Sequence, residues 1–276
     1  MKYKIVADTT ANLFTLQDIP FAYAPLKIIT SEKEYTDTPD LDIGGMVDDL
    51  LTVKGKTGTS CPNVHEWLEA FGDAENVFAV TITSNLSGSY ASAMQAKEDY
   101  ISAHPDRKVC IVDSLSAGPE MAMLVEKLRE DILAGLTFEE IEKNIFEYHK
   151  KTHLSFSLQS LVNLARNGRV SPAIAKVAGV LGIRVVGKAS DVGTLEPLHK
   201  CRGEKRALET IFSDMKAMGF TGGKVRMSHC FNPESAQQLK DMILAEYPDT
   251  NLEIVACTAL CSYYAEKGGL LVGFEG

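Results

Sequence analysis

Residues Asn76–Tyr90 read NVFAVTITSNLSGSY, and this stretch joins an apolar strand pattern to a turn crowded with hydroxyl side chains. Its first part, Asn76–Val80, is typical of a buried parallel strand because it is rich in apolar, β-branched and aromatic residues. The residues that follow the turn, Tyr90–Lys97, predict a helix. In an open α/β sheet, ligands bind at such joins, beside the carboxyl ends of the strands. The stretch therefore predicts an α/β fold with a binding loop at this turn.

The chemistry of this loop favours a small anion. The first backbone N–H groups of a helix have no partner within the helix and carry partial positive charge. Unlike a phosphate-binding P-loop, the turn has a single glycine, Gly88, and no lysine. Neutral hydroxyl donors such as those of Ser84 and Ser87 suit a ligand head with one charge. We therefore expect a carboxylate.

Two further joins have the same character, Lys56–Pro62 and Asp113–Gly118. Because parallel strands end at one edge of a sheet, we expect the hydroxyls of all the joins to surround a single cleft. These hydroxyls belong to Thr59, Ser60, Ser84, Ser87, Ser89, Ser114 and Ser116. Solvated loops are the competing interpretation, since serine and threonine also cap helices and close turns.

The order of the predicted elements divides the chain near His153. Strands and helices alternate in residues 1–152, which predicts an α/β domain with a largely parallel sheet that carries the carboxylate-binding loops. Residues 153–276 predict a second α/β domain with antiparallel strands, because Ile183–Gly187 and Thr194–Leu198 flank a turn like the arms of a hairpin. The predicted fold is thus a two-domain α/β protein.

Some stretches give a less regular pattern. Phe21–Ile29 is extended but contains Pro25, so it predicts an edge or irregular strand. Ser155–Leu164 is apolar and is predicted to be helical in its second part, and Pro172–Leu181 predicts a short helix. Apolar residues of this region are candidates for the lining of a ligand tunnel, although core packing explains them equally well. These candidates are Ile174, Val177, Val180, Leu181 and Ile183.

Composition and charge exclude several classes of function. The formal net charge of −9 argues against nucleic acid, whose phosphates require a basic face. Cys257 and Cys261 stand four residues apart without a flanking histidine, which is a poor zinc signature, so we expect reduced thiols and no metal or other cofactor. The chain shows neither a secretory signal nor an apolar run long enough to span a bilayer. These features predict a cytoplasmic protein without integral membrane association.

A serine nucleophile is an alternative use of the hydroxyl-rich loops. Covalent catalysis requires a base within hydrogen-bond reach, and the chain has no G-x-S-x-G elbow. Most of the histidines lie in charged, surface-like segments, but His229 lies at the carboxyl end of the predicted strand Val225–Ser228 and has a position suited to a cleft, with a core or strand-end histidine as the competing interpretation. Ser87 and His229 therefore carry the alternative hypothesis of a hydrolase or transferase that acts on a small carboxylate or acyl ester.

Basic side chains on this acidic chain are candidates for anion contacts. Arg169 lies in the turn Asn167–Ser171, where a guanidinium at the mouth of a cleft could bind an anion in bidentate fashion. A second basic cluster contains Lys200, Arg202, Lys205 and Arg206. Solvated surface charges are the competing explanation for both.

Taken together, these motifs resemble the DegV family, whose members include the fatty-acid-binding proteins of bacterial fatty acid kinases. Thr59–Pro62 is similar to the family's Thr-Ser-Gln-Pro, with cysteine in place of glutamine. Ser84–Tyr90 resembles Ser-x-Leu-Ser-Gly-Thr-Tyr, Val112–Ser114 matches Val-Asp-Ser, and Asn167–Ser171 resembles Gly-Gly-Arg-Ile-Ser. The resemblance runs from Lys4 to Phe274, essentially the whole chain.

The resemblance implies a protein that holds a long-chain fatty acid between two α/β domains and does not itself catalyse. It implies that hydroxyls corresponding to Thr59 and Ser87 bind the carboxylate near the backbone of Ser60 and Gly88, with Ser84 and His229 as further candidates. The acyl chain would lie in an apolar tunnel in the second domain. A separate kinase subunit would use ATP to form an acyl phosphate, with Arg169 and Arg202 on the surface that serves this partner. A binding module for another apolar acid remains an alternative.

One segment departs from the family pattern. The family commonly carries His-x-Gly-Pro-Gly near the C-terminus, with the histidine close to the carboxylate. The corresponding stretch here is Ala265–Gly269, which has no histidine. Either fewer donors hold the head group, or His229, Tyr263 or Tyr264 replaces the histidine.

Overall fold

The computed structural model describes residues 2–53, 55–173 and 182–276. Most of the predicted helix Pro172–Leu181 lies outside the described residues, and with it the tunnel candidates Ile174, Val177, Val180 and Leu181.

The strands of the described residues alternate with helices through much of the chain. The strands are β1 (Tyr3–Asp8), β2 (Phe21–Ala24), β3 (Lys27–Ile29), β4 (Glu34–Thr36), β5 (Gly58–Ser60), β6 (Asn76–Thr81), β7 (Lys108–Asp113), β8 (Thr152–Leu158), β9 (Ile183–Ala189), β10 (Leu195–Arg202), β11 (Lys224–His229), β12 (Asn251–Ala256) and β13 (Leu270–Glu275). The α-helices are α1 (Ile43–Thr52), α2 (Val64–Phe71), α3 (Ser89–Ala103), α4 (Pro119–Leu133), α5 (Phe138–His149), α6 (Val162–Arg166), α7 (Glu204–Ala217), α8 (Pro233–Glu246) and α9 (Ala259–Ala265).

The first sheet has the strand order β2-β1-β6-β7, and all of its pairings are parallel. All residues of β6 are buried because helices cover both faces of the sheet. Apolar side chains of α4 and α5 pack on one face, and those of α2 and α3 pack on the other. A strand buried on both faces requires a continuous apolar sequence, as found in Asn76–Val80. The predicted parallel sheet is confirmed.

A small antiparallel sheet of order β4-β3-β5 stands apart from the parallel one. The extended run Phe21–Ile29 forms two strands, since β2 ends at Ala24 and β3 begins at Lys27, on either side of Pro25 and Leu26. Strand β3 pairs with β5, which contains Thr59 and Ser60. The prediction that the Lys56–Pro62 join follows a parallel strand is therefore wrong, because this join belongs to the small sheet.

The second large sheet has the order β10-β9-β8-β13-β11-β12. Its pairings are antiparallel except for β11 with β12, so the predicted antiparallel strands and the β9–β10 hairpin are confirmed. In the stretch Ser155–Leu164, the helix is confined to α6, because the preceding residues form β8 at the centre of this sheet. Helices α7 and α8 pack on one face of the sheet.

The two halves of the chain are in close contact. Helix α9 from the second half packs with Leu26, Ile28 and Met46 from the first half in one buried cluster. On α4, the Glu126 carboxylate accepts two hydrogen bonds from the Arg226 guanidinium, at 2.6 and 2.8 Å. The boundary near residue 152 lies between α5 and β8 and stays a prediction. Among the described residues, no helix has the length and apolar character needed to cross a membrane.

The β9–β10 turn is a second contact between the halves. Asn85, in the loop that follows β6, donates from its Nδ2 to the Val192 carbonyl in the turn at 2.6 Å. Gly193 adopts φ +77°, and a Cβ at this position would collide with Thr83 Oγ1 and lie 2.8 Å from Leu115 Cα. The turn can therefore approach this loop only with a glycine at its tip.

We expect Gly193→Ala to lower the free energy of unfolding by about 3 kcal/mol, because the new methyl group adds a clash to the strain of a left-handed residue. The matched control is Gly135→Ala, since Gly135 has the same φ of +77° and no neighbouring atom within 4 Å. The control should cost only about 1 kcal/mol. Urea denaturation of both variants measures the difference, and equal losses would contradict the close approach of the turn.

Candidate functional site

The buried carboxylate of Asp8 organises the edge of the parallel sheet. Asp8 ends β1 and is fully buried, and its Oδ1 accepts from the backbone N–H and the hydroxyl of Thr10. Its Oδ2 accepts from Ile82 N at 2.8 Å and from Ser89 Oγ at 2.7 Å. Burial raises the pKa of Asp8, and these hydrogen bonds oppose the rise. One side chain thus joins the end of β1 to both ends of the loop between β6 and α3.

Within this loop, the Ser87 hydroxyl is free to donate. Ser87 Oγ accepts from Ser89 N at 3.3 Å, and Ser87 N donates to the Thr83 carbonyl at 3.2 Å. Because the Ser87 oxygen serves as the acceptor in this contact, its own proton is available for a ligand. Gly88 follows as the N-cap of α3 and has no side chain to cap the helix.

Strand β5 brings a second hydroxyl to this loop. A Cβ on Gly88 would lie 3.1 Å from Cys61 Sγ, so the Thr59–Pro62 motif and the Ser84–Tyr90 motif are in contact. The approach is close because Gly88 lacks a side chain. The two motifs therefore meet, although only one of them follows a parallel strand.

Helix α9 completes the arrangement with two neighbouring tyrosines. The Tyr264 hydroxyl lies 2.7 Å from Thr59 Oγ1, and the Tyr263 hydroxyl lies 2.7 Å from Thr57 Oγ1. Tyr263 also accepts from Asn167 Nδ2 at 2.8 Å. Tyr263 therefore joins α9 to the segment that leads into β5 and to the motif that follows α6. Tyr264 pairs with Thr59, which is predicted to bind the carboxylate.

The Thr59–Tyr264 pair is a neutral donor. Burial raises the pKa of Tyr264, against smaller opposing contributions from the Thr59 hydrogen bond and the Arg169 charge, so the phenol keeps its proton at neutral pH. In a pair of hydroxyls, one proton lies between the two oxygens and the other can point outward. We call Thr59, Ser87 and Tyr264 the hydroxyl clamp, since all three line one cavity.

That cavity is largely apolar and has a volume of about 80 Å³. Side chains from both halves of the chain line it, together with Thr10 and Arg169. The apolar lining residues are Leu26, Ile82, Leu86, Ala117, Leu154, Phe156, Leu158, Leu164, Leu195, Leu260, Cys261, Ala265 and Leu271. Alternate residues of β8 contribute to it because successive side chains of a strand point to opposite faces. The geometry suits an amphipathic ligand that has a thin apolar body.

Arg169 lies between this cavity and an outer one. Its Nε donates to the Leu86 carbonyl at 3.0 Å, and its Nη1 donates to the Asn167 carbonyl. The outer cavity has a volume of about 400 Å³ and is lined by Ser84–Gly88 and Asn167–Arg169, among other residues. The guanidinium therefore holds the two motifs together at the mouth of the hydroxyl clamp.

The remaining predicted site residues have varied positions. Ser60 pairs with Lys27 in the small sheet, and Ser84 is exposed in the outer cavity. His229 is not among the lining residues of the apolar cavity, and its Nδ1 accepts from Asn232 N at 3.3 Å. Arg202 is exposed on β10. The structure thus brings together Thr59, Ser87, Gly88 and Arg169, but it does not bring His229 or Arg202 to them.

The third join, Asp113–Gly118, supports the site through a backbone carbonyl and not through its hydroxyl side chains. Ser114 Oγ donates to the Ser116 carbonyl at 3.0 Å, which keeps this hydroxyl within its own turn. The Ser116 carbonyl also accepts from Thr83 N at 2.9 Å and so supports the neighbouring loop. Of this join, Ala117 lines the apolar cavity. Ile183, the one described tunnel candidate, lines a different groove beside Arg184.

Sequence reasoning missed the roles of Asp8 and Thr10 and did not predict α9 as a helix, although it named Tyr263 and Tyr264 as candidate replacements for the family histidine. The acid at the end of the first strand was visible as a polar residue at the expected edge of the sheet, and this signal could have marked it. Helix α9 gave no comparable signal, because its seven residues form too short a periodic pattern. Within the described residues, no group of three or more metal-binding side chains is assembled.

A second, polar cavity lies on the other side of Leu154. It has a volume of about 310 Å³ and is lined by Glu120, His149, Thr152 and His153 among others. Burial raises the pKa of Glu120 from 4.5 to about 7, although the hydrogen bond from the Thr152 hydroxyl opposes the rise. The Thr152 hydroxyl donates to Glu120 Oε1 at 2.8 Å. A titrating carboxyl thus lies next to the wall of the apolar cavity.

Comparison with known proteins identifies the family. The family model described as "Uncharacterised protein, DegV family" matches residues 2–275. The chain belongs to the DegV family. A DegV domain-containing protein of Streptococcus pneumoniae is 41% identical over 279 residues, which cover 100% of this chain and 99% of the relative.

Solved structures of DegV proteins share the whole fold. A DegV family protein from Eubacterium eligens, loaded with heptadecanoic acid, is 44% identical with a TM-score of 0.97, over 99% of each chain. The fatty acid kinase B3 protein of S. pneumoniae, loaded with linoleic acid, is 41% identical with a TM-score of 0.98, over 100% of this chain and 99% of the other. The suspected resemblance to the DegV family is confirmed.

We expect Glu120 to make stability depend on pH. Because its pKa is about 7 when folded and about 4.5 when unfolded, the folded protein binds the proton more tightly, and stability falls as pH rises between these values. The free energy of unfolding of the wild type, relative to Glu120→Gln, should fall by about 3 kcal/mol from pH 4.5 to 7.5. Denaturant titrations across this range measure it. The free energy of unfolding of the control variant Glu98→Gln, at an exposed position, should depend on pH in the same way as that of the wild type. The same pH dependence in Glu120→Gln would contradict the assignment.

Proposed function

We propose that this protein binds a long-chain fatty acid, with the carboxylate at the hydroxyl clamp and the acyl chain in the apolar cavity. The observation that carries the proposal is the convergence of Thr59, Ser87 and Tyr264 in the wall of a cavity that is largely apolar. Neutral hydroxyl donors beside a single cation, Arg169, suit a ligand with one negative charge, such as a carboxylate, better than a phosphate. Tyr264 takes the place that the family histidine has elsewhere, because its hydroxyl pairs with Thr59.

The energetics favour an acyl chain. Burial of one methylene group contributes about 0.8 kcal/mol, so a long chain contributes on the order of 10 kcal/mol before ordering costs. The clamp then orients the head group and selects it, while the chain supplies most of the affinity. A water-sized group needs roughly 10–15 Å³, so the cavity of about 80 Å³ holds roughly six groups of that size. Entry of a full-length chain therefore requires wall side chains to move.

The relatives support this ligand class. Two structures with more than 40% identity hold heptadecanoic acid and linoleic acid, which differ in length and unsaturation. A DegV family protein from Ruminococcus gnavus, 27% identical with a TM-score of 0.91 over 99% of this chain and 100% of that chain, was refined with vaccenic acid. The shared chemistry of these ligands is one carboxylate on a long apolar chain. A different apolar acid is the alternative that ligand mass would reveal.

We further propose that a separate kinase subunit phosphorylates the bound carboxylate with ATP. One relative is named as the B3 protein of fatty acid kinase. The outer cavity around Arg169 offers a route from the clamp to the surface, since Arg169 and Ser87 line both cavities. In this proposal Arg169 contacts the anionic phosphoryl donor or the partner, and Arg202 contributes to the partner surface. The predicted cytoplasmic location and the absence of a cofactor remain predictions.

No observation favours the alternative hydrolase. The described residues that line the apolar cavity include no histidine, and the Ser87 oxygen accepts a hydrogen bond from Ser89 N rather than donating to a base. A nucleophile would require a base within reach.

We expect the protein, purified from a bacterial host without detergent, to retain a fatty acid in one-to-one ratio. Mass spectrometry of the organic extract identifies the ligand. Thr59→Val and Ser87→Ala should each weaken fatty-acid binding by about tenfold or more, because each removes a hydrogen bond to a charged group. Displacement of a fluorescent fatty acid measures the affinities.

The matched control is Ser102→Ala, which removes an exposed hydroxyl from α3 and should leave affinity unchanged. A lipid-free extract from a protein that also fails to take up added palmitate or oleate would rule out the proposed function.

We expect Arg169→Gln to reduce acyl phosphate formation by about tenfold or more while fatty-acid affinity changes less, because the guanidinium lies toward the outer cavity. The assay combines the loaded protein with a bacterial fatty acid kinase subunit and radiolabelled ATP. Arg166→Gln is the control, since Arg166 is exposed on α6 close to Arg169 in sequence. Equal turnover by both variants would contradict a role for Arg169 in phosphoryl transfer.

A further inference from the structure

Helix α9 begins without a cap from its own residues. The side chain of its N-cap residue, Thr258, makes no capping hydrogen bond, and its hydroxyl donates to the Thr9 carbonyl at 2.9 Å. The first N–H groups of a helix nevertheless need acceptors when they are buried. In α9, side chains from the first half of the chain supply them.

Asp37 is the principal acceptor. Its Oδ1 accepts from Ala259 N and its Oδ2 accepts from Leu260 N, each at 3.0 Å. Asn12 Oδ1 accepts from Thr258 N at 2.9 Å. A carboxylate at a helix N-terminus also interacts favourably with the helix dipole. The start of α9 is therefore attached to residues more than 220 positions away in sequence.

Asp37 itself has a fixed position. It is completely buried, and its backbone N–H donates to the Leu26 carbonyl at 2.9 Å. Burial raises the pKa of Asp37, and the hydrogen bonds from Leu260 and Ala259 oppose the rise. A buried carboxylate that lost these donors would be strongly destabilised. The pairing therefore allows one position for the start of α9.

The head-group donor follows at the other end of the same helix. Leu260 and Tyr264 are four residues apart and lie on one face of α9, and both line the apolar cavity. The Tyr264 hydroxyl reaches Thr59 Oγ1 at 2.7 Å, so a small shift of the helix start changes this distance directly. Because α9 has only seven residues, bending of the helix between its start and Tyr264 can compensate for little of this shift.

We infer that Asp37 is a positioning residue for head-group selectivity: by fixing α9, it holds Tyr264 where a free carboxylate is preferred over a neutral head group. The inference rests on the proposed fatty-acid binding and adds a residue that does not itself line the cavity. Asp37 acts on the carboxylate through Tyr264, whereas the apolar side chains of α9 that line the cavity make contacts without directional preference. It therefore influences the recognition of the carboxylate more than the contribution of the acyl chain.

The test compares a fatty acid with its methyl ester, for example palmitic acid and methyl palmitate, by displacement of a fluorescent lipid. In Asp37→Asn, one oxygen becomes an NH₂ group that cannot accept from a backbone N–H. We expect affinity for the acid to fall by about three- to tenfold, as for the loss of one hydrogen bond, while affinity for the ester stays within about twofold. Equal losses for the acid and the ester would show a purely structural role and overturn the inference.

Two variants sharpen this result. Asp131→Asn alters another buried acid, which pairs with Lys127 at 2.7 Å on α4, and should leave the acid-to-ester ratio unchanged. Tyr264→Phe should lower the same ratio by itself. In the double variant, Asp37→Asn should cause no additional loss of selectivity, because Asp37 acts through Tyr264. Additive losses would overturn the inference.

If Asp37→Asn does not fold, a measurement on the unmodified protein tests the same inference. Hydrogen–deuterium exchange in residues 259–265 should slow more with palmitic acid than with methyl palmitate, since the charged carboxylate accepts a stronger hydrogen bond from Tyr264 than the ester carbonyl does and so stabilises α9 more. Equal protection by both ligands would refute it. A wild-type protein that binds neither lipid would instead refute the proposed function, so the two failures are distinguishable.

Discussion

The candidate binding site depends on the hydrogen bonds that the Asp8 carboxylate accepts. Where parallel strands end, backbone N–H groups and hydroxyls leave the regular pairing of the sheet and need other acceptors. Asp8 accepts from Thr10, Ile82 and Ser89, and so gives two loops one common anchor. Together with Arg169, which donates to the Leu86 carbonyl, this anchor fixes the loop that presents Ser87. A buried acid is tolerated when several donors satisfy it, whereas one that lost them would be costly.

Affinity and selectivity have different physical sources in this site. The apolar wall, built from both halves of the chain, provides a contribution that grows with the number of methylene groups and has little directional preference. Thr59 and Tyr264 provide one directional donor, because one proton lies between their oxygens and the other can point outward. The relatives hold a saturated and an unsaturated chain, which agrees with the proposed division between donors for the head group and an apolar wall for the tail.

Sequence alone predicted the features that follow from local pattern. The apolar run before Thr81, the polar join after it and the hairpin near Gly193 each have a periodicity or a turn signal. The role of Tyr264 was less accessible, because α9 is short and its capping acid is Asp37, far away in sequence. The Lys56–Pro62 join was assigned to the wrong sheet, since a three-residue strand such as β5 leaves no periodic signal. Long-range hydrogen bonds have no local pattern, and the candidate site is built largely from them.

The attachment of α9 to Asp37 has a consequence for biosynthesis. Asp37 leaves the ribosome long before Leu260, its partner 223 positions later, has been translated. Until then the acid has no helix to cap, and the cavity lacks Cys261, Tyr264 and Ala265 from its wall. Pairings over such sequence separations form late in folding, because the entropy of closing the loop must be offset first. A nascent chain that ends before α9 therefore lacks Tyr264 of the hydroxyl clamp, and the cavity wall is complete only after α9 has been translated.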